Sequence, residues 1–292
     1  MATKPEHPVL PIFSLLLAAT FWGVLWYPLR LLEQHGLQGL WATLVSYGAA
    51  LVVGVPALVA RRSALRAHAL RLVALALAAG WCNVAFILSV IEGNVVRVML
   101  LFYLSPVWTV LLGRILLGER LSPRGRWVFV LALIGAATML WDPSVGLPLP
   151  RNGAEWLALS AGVGFAANNV VARSLTGASI LDKTLVTWLG VVLVAVLGLT
   201  ASGGGWPQAG PIAWGGAVLL GWLGVGTITV ALLYGVSHMP VHRSAIILLF
   251  ELVAGAVSSQ LLTTELVTVR EWLGGGLIVA AAVVAARMQT EE

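Results

Sequence analysis

Glu251 is the one acidic residue deep inside a long apolar run, Val241–Leu262; the other acidic residues fall in or near polar connectors and run ends. An ionised carboxylate in hydrocarbon costs several kcal/mol unless it is paired or wetted, so such a group normally faces an internal cavity. It is suited to exchanging a proton or to holding a substrate ammonium. The alternative is a protonated glutamate that bonds a neighbouring backbone carbonyl and only packs helices. Two amides, Asn168 and Asn169, are equally deep, with Phe165, Asn168 and Ala172 on one helical face. Amides read both an amine and a carboxylate, which suits a zwitterion, but they are also common interhelical glue. Neighbouring residues point about 100° apart on a helix, so one amide is expected to line a cavity and the other to pack. Asn83, with Phe86 and Val90 beneath it, carries the same two readings.

Aromatic residues divide by depth. Trp41, Trp127, Trp141, Trp156, Trp206, Trp214 and Trp272 lie at the ends of apolar runs, where an interfacial belt explains them. Trp22, Trp26, Trp81, Tyr103, Trp108, Trp188, Trp222 and Tyr234 lie deeper, and Trp22 and Trp26 are four apart, on one face. Each alone packs or faces lipid as readily as it binds; as a set they suit a pocket for a flat, apolar ligand. Pro28 and Pro106 fall inside apolar runs and should kink them, freeing carbonyls that need new partners. The kink at Pro106, beside Tyr103 and Ser105, is the expected gating hinge. Arg97 and Arg243 each open a run, where snorkelling is the usual role and capture of a substrate carboxylate the rarer one.

Enzyme chemistry has no foothold. His7, His35, His68, His238 and His242 are scattered, and there is no H-E-x-x-H or G-x-S-x-G arrangement. Neither a metal site nor a cofactor is expected. Gly162-Val163-Gly164-Phe165-Ala166-Ala167 fits a dinucleotide-site pattern, but no strand precedes it, so close helix packing explains it. The run Gly274-Gly275-Gly276 reads the same way. The single Cys82 lies in an apolar run and excludes an intrachain disulfide.

These groups must be positioned by helices in lipid. The 292 residues are 59% apolar and 10% charged, against about 25% charged in soluble domains, and the apolar runs lack strand-like alternation. Backbone in hydrocarbon must satisfy its own polar groups. The fold expected is an all-α integral membrane protein of ten transmembrane helices. The spans are Leu10–Leu32, Leu40–Ala60, Ala69–Ile91, Val95–Leu117, Arg124–Trp141, Gly153–Leu175, Ile180–Ala201, Ile212–Val236, Val241–Leu262 and Trp272–Met288. The first run exceeds the roughly 7–15 residues of a signal-peptide core, so it is read as a retained helix. With the N-terminus inside, 13 of the 17 Lys and Arg residues fall on the cytoplasmic side, which puts both termini in the cytoplasm. The net charge of +5 is thereby explained by loops beside a bilayer, with no nucleic-acid partner.

An internal repeat organises the ten helices. RVMLLFYLSPVWTVLLGRILLGERLSPRGRW begins at Arg97 and RSAIILLFELVAGAVSSQLLTTELVTVREW at Arg243. A shift of 146 maps Arg97 onto Arg243, Ser105 onto Glu251, Glu119 onto Glu265 and Ser122 onto Thr268. LLLAATFWGVLWYPLRLL and ALSAGVGFAANNVVARSL align with Arg30 over Arg173. Each copy holds five helices, an odd number, so the second must enter the membrane from the opposite side. The division expected is a tail at 1–9, repeats at 10–141 and 153–288, a linker at 142–152 and a tail at 289–292. Inverted repeats of this kind place a substrate near midplane, between the halves.

Two five-helix units, each with a carboxylate-led turn (Gly118-Glu119-Arg120-Leu121-Ser122 and Thr264-Glu265-Leu266-Val267-Thr268), resemble the drug/metabolite transporter superfamily with paired EamA-type repeats. The resemblance covers roughly Pro11 to Arg287, and in character the chain is most similar to the YddG-type aromatic amino-acid exporters. Many relatives follow the ninth-helix glutamate with proline; here Leu252 follows Glu251, so the proline that would kink that helix is missing, whereas Ser105-Pro106 is kept. The resemblance implies a monomeric secondary transporter of the inner membrane that exports a small amphipathic molecule, foremost an aromatic amino acid, by alternating access. Its site would draw on Trp22, Trp26, Asn83, Phe86, Tyr103, Phe165, Asn168, Asn169, Tyr234 and Glu251, with Pro28, Ser105 and Pro106 as hinges. The alternatives are export of drugs or other metabolites or, in a different class, a channel or an intramembrane enzyme. A channel prefers a continuous polar stripe, whereas the polar residues here gather near midplane. A midplane cavity large enough for a ligand, lined by both halves, is the central expectation.

Overall fold

The computed structural model describes residues 9–141, 149–203, 205–264 and 266–290, with side chains to 288. The connector Asp142-Pro143-Ser144, the first eight residues, Gly204 and Glu265 lie outside the described residues.

Among the described residues, ten helical units follow one another with short turns. They are Leu10–Gln34, Gly39–Ala60, Ala69–Glu92, Val95–Leu117, Pro123–Leu140, Gly153–Ser174, Ile180–Ala201, Pro211–His238, Val241–Leu262 and Val269–Thr290. Eight are long and apolar enough to cross a membrane by themselves. The fifth, Pro123–Leu140, opens with Arg124 and Arg126; the sixth, Gly153–Ser174, carries Glu155, Asn168, Asn169 and Arg173. Both pack against more apolar neighbours, the fifth against the tenth and the sixth against the third and fourth. Helix N-termini are capped where the sequence supplies short polar side chains: Asn94, Ser122, Asn152 and Ser179 each accept the N–H three residues on. A further short helix, Arg62–Ala67, joins the second and third spans.

The packing scheme is two-fold. Third packs on sixth, fourth on sixth, third on seventh; correspondingly, eighth packs on first, ninth on first, and eighth on second. The fifth–tenth and second–seventh pairs map onto themselves. Most of the extensive contacts therefore join one repeat to the other. Polarity is fixed by one bond: Glu119, just beyond the fourth helix, accepts from the backbone N–H of Val241 at the start of the ninth, at 2.8 Å. The end of one helix meets the beginning of its repeat mate, so the two copies are antiparallel.

Glycines set the closest crossings between halves. A Cβ on Gly135 of the fifth helix would lie 2.7 Å from the Gly274 carbonyl, and one on Gly274 would lie 2.6 Å from that of Gly135. Gly162 approaches the Phe102 carbonyl as closely, at 2.7 Å from its virtual Cβ, so the apparent nucleotide motif is a packing surface.

The fourth and ninth helices are broken at the same place. Val95–Phe102 and Val241–Leu248 are eight-residue segments related by the shift of 146. Each is followed by a tightened turn: Leu104 N–H to Leu101 and Val107 to Leu104 in the fourth, Leu249 N–H to Ile246 and Leu252 to Leu249 in the ninth. New half-helices start at Ser105 and Phe250. Pro106 stands at the start of one; the other breaks without a proline, so having Leu252 after Glu251 does not spare the ninth helix its break. Glu251 lies in that half-helix's first turn, where a carboxyl complements the exposed N–H groups. The first helix is interrupted at Leu25, between Trp22 and Trp26 and ahead of Pro28.

Candidate functional site

Both breaks open on the centre of the bundle. Phe102, Tyr103, Ser105, Pro106 and Thr109 of the first repeat line one side of a small central space; Phe165, Ala245, Leu248, Leu249 and Glu251 of the second line the other. Tyr103 from one half and Glu251 from the other both line this space, on opposite sides of the interface. Around them Phe102 is in ring contact with Phe86 at 4.6 Å, Tyr103 at 5.4 Å and Phe165 at 5.9 Å. Two half-helix N-termini, one acid and an aromatic cluster thus converge at mid-depth, and among the described residues no basic side chain lines the space.

The expectation of a ligand-sized cavity fails in this conformation. The central free volume is about 10 Å³, room for a water and not for an aromatic metabolite. The side chains of the two halves meet there, and polar contacts join the halves on either side.

At one end, Arg97 is only 7% exposed and so does not snorkel. It grips Glu155 through Nε at 2.6 Å and a terminal nitrogen at 2.7 Å, and donates to the Leu149 carbonyl at 2.7 Å. This bidentate pair ties the fourth helix to the sixth. At the other end, Glu119 accepts from Val241 N–H and, at 3.4 Å, from Arg173 Nε, with His242 Nδ1 at 3.9 Å. Arg173 also donates to the Ser237 carbonyl at 2.6 Å. Beside it the buried Lys183 ammonium donates to the Ala172 carbonyl and Ser237 Oγ, both at 2.7 Å. Arg243, the repeat mate of Arg97, is likewise buried.

Of the residues singled out by sequence, Phe86, Tyr103, Ser105, Pro106, Phe165 and Glu251 come together at the centre. Asn83 spends its amide on its own helix and on Tyr47: Nδ2 donates to Ala79 O at 2.9 Å, and Oδ1 accepts from the Tyr47 hydroxyl at 3.1 Å. Trp26 Nε1 donates to Ser258 Oγ at 3.0 Å, tying the first helix to the ninth. Tyr234 stacks on His238 at 4.2 Å, one turn from the end of the eighth helix. Asn168 and Asn169 are both buried and joined by one 3.3 Å bond. Asn168 Oδ1, Asn169 Nδ2 and Trp22 Nε1 are buried without a hydrogen-bond partner among the described residues. Pro28 lies in the helix beyond the Leu25 interruption. Trp81 and Trp222, placed deep by sequence, are about half exposed, with indole N–H groups on Ser160 and Ala49. The sequence reading missed Phe102 and Thr109. The available signal was the repeat itself, since Phe102 maps onto Leu248 at the other break.

The profile of the EamA-like transporter family matches residues 9–141 and again residues 152–287. No curated protein matches the chain. A solved structure titled only "Crystal structure of protein" superposes with a TM-score of 0.71 over 96% of this chain and 98% of that one, at 19% identity. At that identity the likeness speaks for the fold alone.

Proposed function

Since this chain belongs to the EamA-like transporter family, we propose that it is a monomeric secondary carrier that exports aromatic amino acids across the inner membrane by alternating access, with both termini cytoplasmic. The observation that carries the reading is the meeting of two antiparallel broken helices at Tyr103 and Glu251, inside the Phe86–Phe102–Phe165 cluster. Glu251 takes the substrate ammonium or the coupling proton. The N-terminus of the half-helix at Ser105 faces the substrate carboxylate with a positive dipole end, and the unsatisfied polar atoms of Asn168 and Asn169 supply further bonds. The phenyl rings hold the flat side chain by edge and face contact.

A water-sized centre closed at both ends requires the halves to part before substrate enters. Opening one end needs the Arg97–Glu155 pair to separate; opening the other needs Glu119 to leave Val241 and Arg173. Tyr103, Ser105 and Pro106 on one side and Leu249 on the other are the bending points, with Pro28 serving the first helix.

Uptake of labelled tryptophan, phenylalanine and alanine into proteoliposomes, with mutual competition, tests the reading. Trans-stimulated exchange of tryptophan above alanine is expected. Conductance without exchange would instead indicate a channel, and equal handling of the three would remove the aromatic preference. A second reading, export of aromatic amines or cationic drugs, is favoured by the presence of one acid and no base at the centre. Inhibition by tryptamine exceeding that by tryptophan would select it.

A further inference from the structure

Away from the centre, the third and seventh helices, one from each repeat, leave a deep groove of about 580 Å³ on the outer surface of the bundle. Its walls are Leu72, Val73 and Leu77 on one side and Val186, Leu193 and Leu197 on the other. Its floor is the close crossing itself: a Cβ on Gly190 would lie 2.2 Å from the Ala76 carbonyl, so the two helices meet there and the groove opens above them. Every lining residue is apolar except Arg66, which stands exposed at one mouth on the short helix Arg62–Ala67.

Length and charge identify the occupant. Val186 and Leu197 are eleven positions apart, about 16 Å of helix at about 1.5 Å per residue. One leaflet of a bilayer core about 30 Å thick is about 15 Å deep. The groove therefore has the length of a single acyl chain, with its basic mouth at headgroup level. Arg66 lines that mouth, and Arg61, Arg62 and Arg71 lie close to it along the chain. Arg61 is engaged with Asp182 and Ser179, and Arg71 with the Ser174 carbonyl, which leaves Arg62 and Arg66 on the exposed face of the short helix. Asp182, the acid beside this cluster, is neutralised by Arg61.

We propose that this groove is a binding site for one anionic glycerophospholipid, its acyl chain laid between the third and seventh helices and its phosphate on Arg66 and Arg62. The bound chain would cover the outer side of the crossing between the two repeats.

Native mass spectrometry of the full chain in detergent, titrated with dioleoyl phosphatidylglycerol and dioleoyl phosphatidylcholine, tests this. At about 1 kcal/mol per basic residue, phosphatidylglycerol is expected to bind about tenfold or more tighter. R62Q/R66Q should reduce the preference to about twofold or less, within the residual field of the other two arginines. L193W, which fills the groove from an exposed position, should weaken both lipids. Melting curves of each variant confirm folding, and Ala69→Leu at the mouth provides a second groove-filling variant. Equal binding of the two lipids overturns the proposal. So does a preference that survives both groove-filling variants, which would reduce it to surface attraction. A concentration-dependent dimer abolished by L193W would make the occupant a second copy and overturn it as well.

Discussion

The fourth and ninth helices are two copies of one design, and they differ where it matters. Both break after eight residues, each with two tightened turn bonds, set one residue earlier in the ninth. In the fourth a proline enforces the break; in the ninth Leu252 keeps its N–H and bonds the Leu249 carbonyl at 3.0 Å. The fourth brings a phenol to the centre and the ninth brings an acid, so Ser105 stands where the other copy has Glu251. Their starts differ too. Arg97 is closed in a bidentate pair with Glu155, whereas the start of the ninth is held through its backbone N–H by Glu119. A duplicated scaffold thus keeps its backbone geometry while its side chains diverge.

The most damaging way to break this comparison is at the buried pair. Arg97→Gln strands Glu155, whose side chain is 3% exposed, and should cost about 3–5 kcal/mol. A lowered melting temperature in detergent is the readout, with R97Q/E155Q recovering part of the loss because no lone charge remains. Next comes the specialised acid. Glu251→Gln should cut tryptophan exchange in proteoliposomes about tenfold, equivalent to about 1.4 kcal/mol of lost interaction, and flatten its pH profile. Unchanged uptake with an unchanged pH profile would remove Glu251 from proton coupling. A smaller effect is expected at the opposite end. Glu119→Gln weakens its bonds to Val241 N–H and Arg173 in a partly exposed setting, at about 1 kcal/mol, and should raise labelling of a cysteine placed at Ser237. The smallest effect sharpens the comparison most. Leu252→Pro should change stability by no more than about 0.5 kcal/mol, since the lost turn bond is offset by a stiffer unfolded chain. Ala256→Pro, inside the intact half-helix, should cost about 3 kcal/mol. Equal costs for the two prolines would show that the ninth helix is not truly broken.

Element positions were plain in the amino-acid sequence because the bilayer imposes a length on each apolar run, and the ten observed helices follow the expected spans closely. The repeat was plain too, and with it the antiparallel arrangement. What stayed hidden was facing. Lipid tails and helix interfaces are equally apolar, so Trp81 and Trp222, half exposed, look no different in sequence from the buried Trp188. Phe102 escaped notice for the same reason, as one aromatic among many in an apolar run. The ninth-helix break left no residue signature, since it is made by turn bonds and not by proline. Arg97 read as a snorkelling residue because its partner, Glu155, lies 58 positions away and on another helix. The free volume at the centre depends on how the halves close, which no single helix encodes.

The glycine crossing of the fifth and tenth helices has a mechanical consequence. Gly135 and Gly274 face one another at this crossing, each with the other's carbonyl in its virtual side-chain position, yet the shift of 146 maps Gly135 onto Ala281 and Gly274 onto Val128. If the carrier's second state is reached by letting the repeats trade shapes, this approach passes to Val128 and Ala281, which carry side chains where the glycines carry none. The glycine joint is therefore the property of one conformation and not of both. Even a single methyl group there would prise it apart and tilt the balance toward the other shape.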